Sequence, residues 1–126
     1  MREALLVFLG GGAGSVLRWL TGLACLRLFG PQFPFGTLAV NIIGCFVMGV
    51  FFRTLPLPEA APASARLMLM TGLLGGYTTF SAFALDSAGL WMRNEPGLAL
   101  LYVALSVGAS LLGVALGLFV GKLVMA

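Results

Sequence analysis

Residues 73–83 read LLGGYTTFSAF and lie inside an apolar run from about 67 to 92. Two adjacent glycines, Gly75 and Gly76, are followed by Tyr77, Thr78, Thr79 and Ser81 crowded among phenylalanines. In lipid every backbone N–H and C=O must be satisfied, so irregular backbone survives only where protein or water covers it. A pair of residues without side chains, next to two β-branched hydroxyl residues that bond their own backbone, lets a helix break there. The fold turns on this stretch. Either the third apolar segment is a helix with a glycine kink, or it is two half-helices meeting mid-membrane.

The rest of the chain sets that question in a bilayer. Of 126 residues, 60% are hydrophobic and only 9% charged, with a mean hydropathy of +1.09, whereas a soluble domain carries about 25% charged residues. This composition is that of a membrane protein. Four acids against seven bases give a net charge of +3, too sparse for the basic face that nucleic acid requires, so no nucleic-acid partner is expected. There is no histidine, which excludes histidine-based catalysis, proton relays and zinc sites. Cys25 and Cys45 both fall in apolar stretches and read as buried thiols or small packing residues. The start, MREALLVFLGGGAGSVL, imitates a secretory signal. Because three more long apolar segments follow and Arg18 interrupts the first, it is expected to be a span.

A span needs about 20 apolar residues to cross a hydrocarbon core of roughly 30 Å. Four fit, at about 4–26, 35–52, 67–92 and 98–121, so we expect residues 1–126 to form one all-α, four-helix transmembrane domain. The linkers, RLFGPQFPFG, RTLPLPEAAPASAR and RNEPG, each hold a proline that ends or forbids a helix. Arg2, Arg53, Arg66 and Lys122 then share one side of the membrane, and Arg27 and Arg93 the other. This weakly favours the first side as cytoplasmic, and so small a bias is compatible with insertion in both orientations. Four short helices leave little room for a pathway among themselves, and a closed homodimer, compatible with an antiparallel arrangement, is the expected assembly, with a parallel dimer or a subunit of a larger complex as the alternative.

Three helices carry stripes of polar or small residues. In the fourth span Tyr102, Ser106, Ser110, Gly113, Gly117 and Gly121 fall within about 100° of one another around the helix axis. The glycines suit close helix packing. The three hydroxyls either pack too or give a dehydrating ion a succession of partners. The second span aligns Thr37, Asn41, Gly44, Cys45 and Met48. A carboxamide mid-span costs a few kcal/mol unless partnered, so Asn41 either bonds a neighbouring helix or faces a polar pathway. In the first span Gly10, Gly14, Arg18 and Gly22 are four apart. Arg18 either snorkels to an aqueous rim or serves a pathway, and a vestibule arginine that attracts anions satisfies both.

A break at GGYTT would itself make ion sites. The C-terminal end of a half-helix aims carbonyls inward, where a cation is favoured, and the N-terminal end of the next aims N–H groups, where an anion is favoured. Phe80 and Phe83 follow three apart and share a face. Phenylalanine pairs in membrane helices are ordinarily packing, but an aromatic edge is electropositive. Two rings turned edge-on into a polar track would hold a small anion without the full charge that prevents its leaving.

Three stretches together, GGGAGSVLRW at 10–19, FGTLAVNIIGCFVMG at 35–49 and GLLGGYTTFSAF at 72–83, resemble the Fluc/CrcB family of fluoride channels over nearly the whole chain. The resemblance implies an antiparallel, dual-topology homodimer in the bacterial inner (plasma) membrane, with two fluoride pathways. It also implies a central structural sodium ion, Na+, held by backbone carbonyls of Gly75 and Thr78 from both chains. Phe80 and Phe83 would line the pathway with Asn41 and Ser81, and Thr37, Tyr102, Ser106 and Ser110 would supply its track of hydroxyls. Arg18 would stand at the aqueous entrance. One departure is visible: the family often reads TTFSTF, and Ala82 replaces the second threonine of that string.

The function so implied is passive. Fluoride enters cells as neutral HF, dissociates in the more neutral cytoplasm and is trapped; a selective channel lets the membrane potential expel the anion and confers fluoride resistance. Two rivals remain. A small multidrug-type exporter has the same size and span number but needs a mid-membrane carboxylate, for which only Asp86 inside the third span qualifies. A non-transporting scaffold subunit would use Asn41 and the hydroxyl stripes only to join helices. No enzyme is expected.

Overall fold

The computed structural model describes residues 1–55 and 64–126. The prolines at the centre of the second linker lie outside the described residues. Among those described, all regular structure is helical, and four stretches are long and apolar enough to cross a membrane.

Helix α1, Arg2–Phe29, stops at Gly30, whose φ of 81° favours a residue without a Cβ. Helix α2, Phe35–Thr54, follows Pro34. The third span, Ser64–Met92, is composite. It starts as α3, Ser64–Arg66, winds as a π-helix over Leu67–Leu74, returns to a short α4, Gly75–Tyr77, and resumes as α5, Phe80–Met92. Helix α6, Pro96–Met125, carries its proline in the first turn, where no N–H is needed. The turn before it places Asn94 at φ 59°, a conformation asparagine tolerates. The helices overrun the expected spans by up to a few residues at each end. Hydropathy marks the hydrocarbon segment, whereas hydrogen bonding and caps decide where a helix stops.

Two seams hold the bundle. α1 lies along the π-helical segment and α4, while α2 pairs with α6 over the most extensive contact among the described helices. Both depend on bare backbone. A Cβ on Gly10 or Gly14 would overlap the carbonyl oxygens of Met68 and Leu73, and one on Gly76 that of Gly11. On the other seam Gly49 would meet Val114 and Gly117 would meet Phe46, again at backbone oxygens. The glycine half of the α6 stripe thus packs against α2. Without a hydrophobic drive between helices in lipid, such close approach is what dispersion forces need.

The interior is small. Among the described residues Val40, Leu74, Leu90, Ala99 and Tyr102 are the buried hydrophobic ones, while Phe8, Trp19, Phe80 and Leu112 lie exposed. A soluble monomer rarely exposes contiguous apolar patches beyond a few hundred Å², so lipid or another protein surface covers this one. At one end of the bundle Arg93 Nη2 donates to the Gln32 carbonyl at 2.7 Å, joining the first and third linkers. At the other, Arg66 Nη2 donates to the carbonyls of Phe52 and Leu55. The linkers therefore alternate between ends, as four successive crossings require.

Candidate functional site

The third span does break, and it breaks at the threonines. Thr78 (φ −83°, ψ 156°) and Thr79 (φ −153°, ψ 116°) are extended, whereas Gly75 remains helical at φ −62°, ψ −37°. β-Branched residues suit extended backbone, and both hydroxyls compensate local groups. Thr78 Oγ1 donates to the Leu74 carbonyl at 2.9 Å. Thr79 Oγ1 accepts the Ala82 N–H at 3.1 Å, capping α5. The kinked, continuous alternative is thereby excluded. The glycines serve the neighbouring seam, Gly76 against Gly11. Just upstream the π-winding is marked by the Gly75 N–H bonding the Met70 carbonyl five residues back.

Asn41 spans the break. Its Nδ2 donates to the Thr79 carbonyl at 3.0 Å and its Oδ1 accepts the Thr79 N–H at 2.8 Å. In an uninterrupted helix that N–H would bond the carbonyl of Gly75, four residues back. Each buried backbone group left unpaired costs about 1–3 kcal/mol, so one carboxamide removes both penalties. The two readings of Asn41 meet here, because it bonds a neighbouring helix and also faces a cavity.

That cavity, about 280 Å³, lies between α2, the break, α5 and α6. Asn41, Cys45, Thr78, Thr79, Phe80, Phe83, Ser106, Val107, Ser110 and Leu111 line it. Its walls are mainly apolar. Ser110 Oγ is buried and without a hydrogen-bond partner, an unusual state for a buried hydroxyl; Ser106 Oγ, also buried, stands beside the Tyr102 hydroxyl without a bond of good geometry. A hydroxyl can donate to whatever enters. The Phe80 and Phe83 rings stand 5.4 Å apart at 49°, and Phe80, which lines the cavity, is 79% exposed.

A second cavity, about 310 Å³, holds Arg18 with Ser15, Gly22, Gly36, Thr37, Thr79 and Ala82 among its lining. Thr79 borders both spaces, so the broken backbone is the wall between the arginine and the serines. A third, about 330 Å³, is shared by Thr37 and Asp86.

Of the residues singled out from sequence, Asn41, Thr78, Phe80, Phe83, Ser106 and Ser110 come together in the first cavity, and Arg18 and Thr37 in the second. Ser81 is exposed and lines neither; its Oγ lies 3.2 Å from Thr79 Oγ1. Tyr102 is fully buried, and its hydroxyl donates to Asp86 Oδ2 at 3.2 Å. Gly75 is exposed on the outer face of the first half-helix. Sequence reasoning missed the roles of Thr79, of Asp86 as the acceptor for Tyr102, and of the Thr21 hydroxyl, 3.2 Å from that of Tyr77. It also took Cys45 for a packing residue, whereas the thiol borders the first cavity; its place one turn after Asn41 was the available signal.

Residues 5–118 match the family described as CrcB-like protein, Camphor Resistance (CrcB). The chain belongs to the CrcB family. Its relatives in this family include a protein of Rhizobium etli strain CFN 42, named "Fluoride-specific ion channel FluC", 52% identical over 118 residues covering 94% of each chain. One from Nitrobacter hamburgensis, "Fluoride-specific ion channel FluC 2", is 50% identical over 117 residues, 93% of this chain and 91% of the relative. A Cereibacter sphaeroides protein of the first name is 50% identical over 114 residues, 90% of each. Family membership with four apolar helices makes the chain a multi-pass membrane protein and not an enzyme.

Proposed function

We propose that the chain is a fluoride-selective channel that passively exports F− from the cytoplasm of bacteria across the inner membrane, as an antiparallel homodimer with two pathways. Relatives about half identical over nearly the whole chain, named as fluoride channels, support the ion. The observation that carries the route is the first cavity. It offers two buried hydroxyls, Ser106 beside Tyr102 and Ser110 without a protein partner, next to Asn41 and the Phe80–Phe83 pair, and no full charge. A site built of weak donors strips water from a small anion and still lets it go. Arg18, across the Thr79 wall, concentrates anions at the approach without entering the narrow part.

The dimer reading rests on the exposed ring of Phe80 in the lining of the cavity, which a second copy would cover. A count of four bases on one side of the membrane and two on the other is small enough for both orientations to insert.

The carbonyls of Gly75 and Thr78 fit a sodium ion in two respects. They sit at the C-terminal end of a half-helix, where the dipole favours a cation. The N–H that would occupy the Gly75 carbonyl in a continuous helix belongs to Thr79 and is bonded to Asn41 instead. Two carbonyls are an incomplete coordination shell, and the same pair from a second copy would extend it. Among the described residues no three His, Cys, Asp or Glu side chains cluster for a metal, so backbone oxygens are the suitable donors. When bound, the ion supplies positive charge near the break and a link between copies.

A bacterial host sensitised by deletion of its own fluoride exporters tests the function. Expression of the chain restores growth on fluoride at acid pH, where HF enters fastest. Failure to restore growth, with the protein present in the membrane, contradicts the proposal.

A further inference from the structure

Asp86 is the one acidic residue inside a span, and a carboxylate is an unexpected neighbour for an anion route. Its surroundings give it a task. Tyr102 has no exposed surface, and its ring packs against both Phe83 and Phe33, each centroid at 5.5 Å. Phe83 lines the serine cavity, and Phe33 lines the cavity that contains Asp86 and Thr37. Phe33, Tyr102 and Phe83 therefore form an aromatic septum between the two spaces. The hydroxyl of its middle member donates to Asp86 Oδ2, and the hydroxyls of Thr37 and of Ser106, one turn further along α6, stand beside it on the two sides of the septum.

We propose that Asp86 and Tyr102 form a latch on this septum and that Asp86 is a specificity-determining positioning residue: it holds the Tyr102 hydroxyl in a hydrogen bond that an anion must win in order to pass. The inference rests on the fluoride-channel reading and deepens it. An O–H donor to a carboxylate normally sits at about 2.5–2.7 Å; at 3.2 Å this one is engaged but stretched. A strong acceptor can displace such a bond and a weak one cannot. Fluoride is the strongest hydrogen-bond acceptor among the halides, and chloride, with its charge spread over a larger radius, competes poorly. The released hydroxyl then donates to fluoride beside Ser106, and Asp86 retakes it after the ion has moved on. Selectivity thus gains a contribution from a competition that size alone does not provide.

The tests use reconstituted full-length protein. Asp86→Asn keeps an acceptor oxygen for Tyr102, and Asp86→Ala removes it. Fluoride-over-chloride flux ratios should stay near wild type in Asp86→Asn and fall by at least about fivefold in Asp86→Ala, the factor one hydrogen bond is worth. In a Tyr102→Phe background, Asp86→Ala should add nothing further, since the latch is already gone. Equal ratios in Asp86→Ala and wild type overturn the latch, as do equal losses in Asp86→Asn and Asp86→Ala, which assign the effect to charge. Should Asp86→Ala not assemble, infrared difference spectra decide. Fluoride, and not chloride, should shift a carboxylate stretch in wild type that is missing from Asp86→Asn; no fluoride-specific shift overturns the proposal. Silence of wild type towards fluoride marks failure of the channel reading, whereas an active wild type with an indifferent Asp86→Ala marks failure of the latch.

Discussion

One side chain on α2 satisfies both backbone groups of the residue at which the third span breaks: Asn41 accepts from the Thr79 N–H at 2.8 Å and donates to the Thr79 carbonyl at 3.0 Å. Removing it exposes two orphaned groups to apolar surroundings. Asn41→Ala should lower stability by about 2 kcal/mol or more, from two unpaired groups of about 1–3 kcal/mol each, and should abolish flux. Thermal unfolding in detergent, read beside fluoride efflux, checks both. An unchanged melting temperature would mean that water replaces the carboxamide.

The phenylalanine pair separates pathway from packing. Phe80→Ile with Phe83→Ile preserves apolar volume but removes both aromatic edges. Fluoride flux should fall at least tenfold, about 1.4 kcal/mol in the barrier, with the assembled protein still eluting as wild type by size-exclusion chromatography. Full flux in the double variant would support a scaffold role for these rings.

Two glycines on α6 should behave oppositely. A Cβ at Gly117 would overlap the Phe46 carbonyl oxygen, so Gly117→Ala must push α2 and α6 apart and reduce the yield of folded protein. Gly108 has open space around it, and Gly108→Ala should be neutral or stabilise by up to about 1 kcal/mol through helix propensity. Melting temperatures of the two variants measure the contrast.

Removal of sodium addresses the carbonyls of Gly75 and Thr78. Exchange of Na+ for a bulky organic cation during purification should weaken subunit association and lower fluoride flux, and both should return when Na+ is restored. Association and flux that ignore sodium would argue against a cation at these carbonyls.

Four spans were legible from hydropathy alone, because a run of about 20 apolar residues has few alternatives. The break was legible too, but its position was not. GGYTT contains residues that permit irregular backbone at either end, and only the seam with Gly11 shows that Gly76 is used for close approach while Thr78 and Thr79 take the extended backbone. The π-winding of Leu67–Leu74 leaves no trace in composition. Asn41 and Asp86 were visible as misplaced polar groups. Their partners, Thr79 and Tyr102, were not, since each lies on another element and neither spacing follows a helical period. Ser106 and Ser110 could be placed on one stripe by arithmetic, whereas the lack of a partner at Ser110 is a fact of packing.

Fluoride-selective conduction is measured with purified protein in liposomes loaded with potassium fluoride, the potential set by valinomycin and released fluoride followed with an electrode, beside a chloride-loaded control. Rapid fluoride release on adding valinomycin and little chloride release are expected. Release of neither ion from vesicles shown to contain folded protein, or equal release of both, would contradict fluoride-selective conduction.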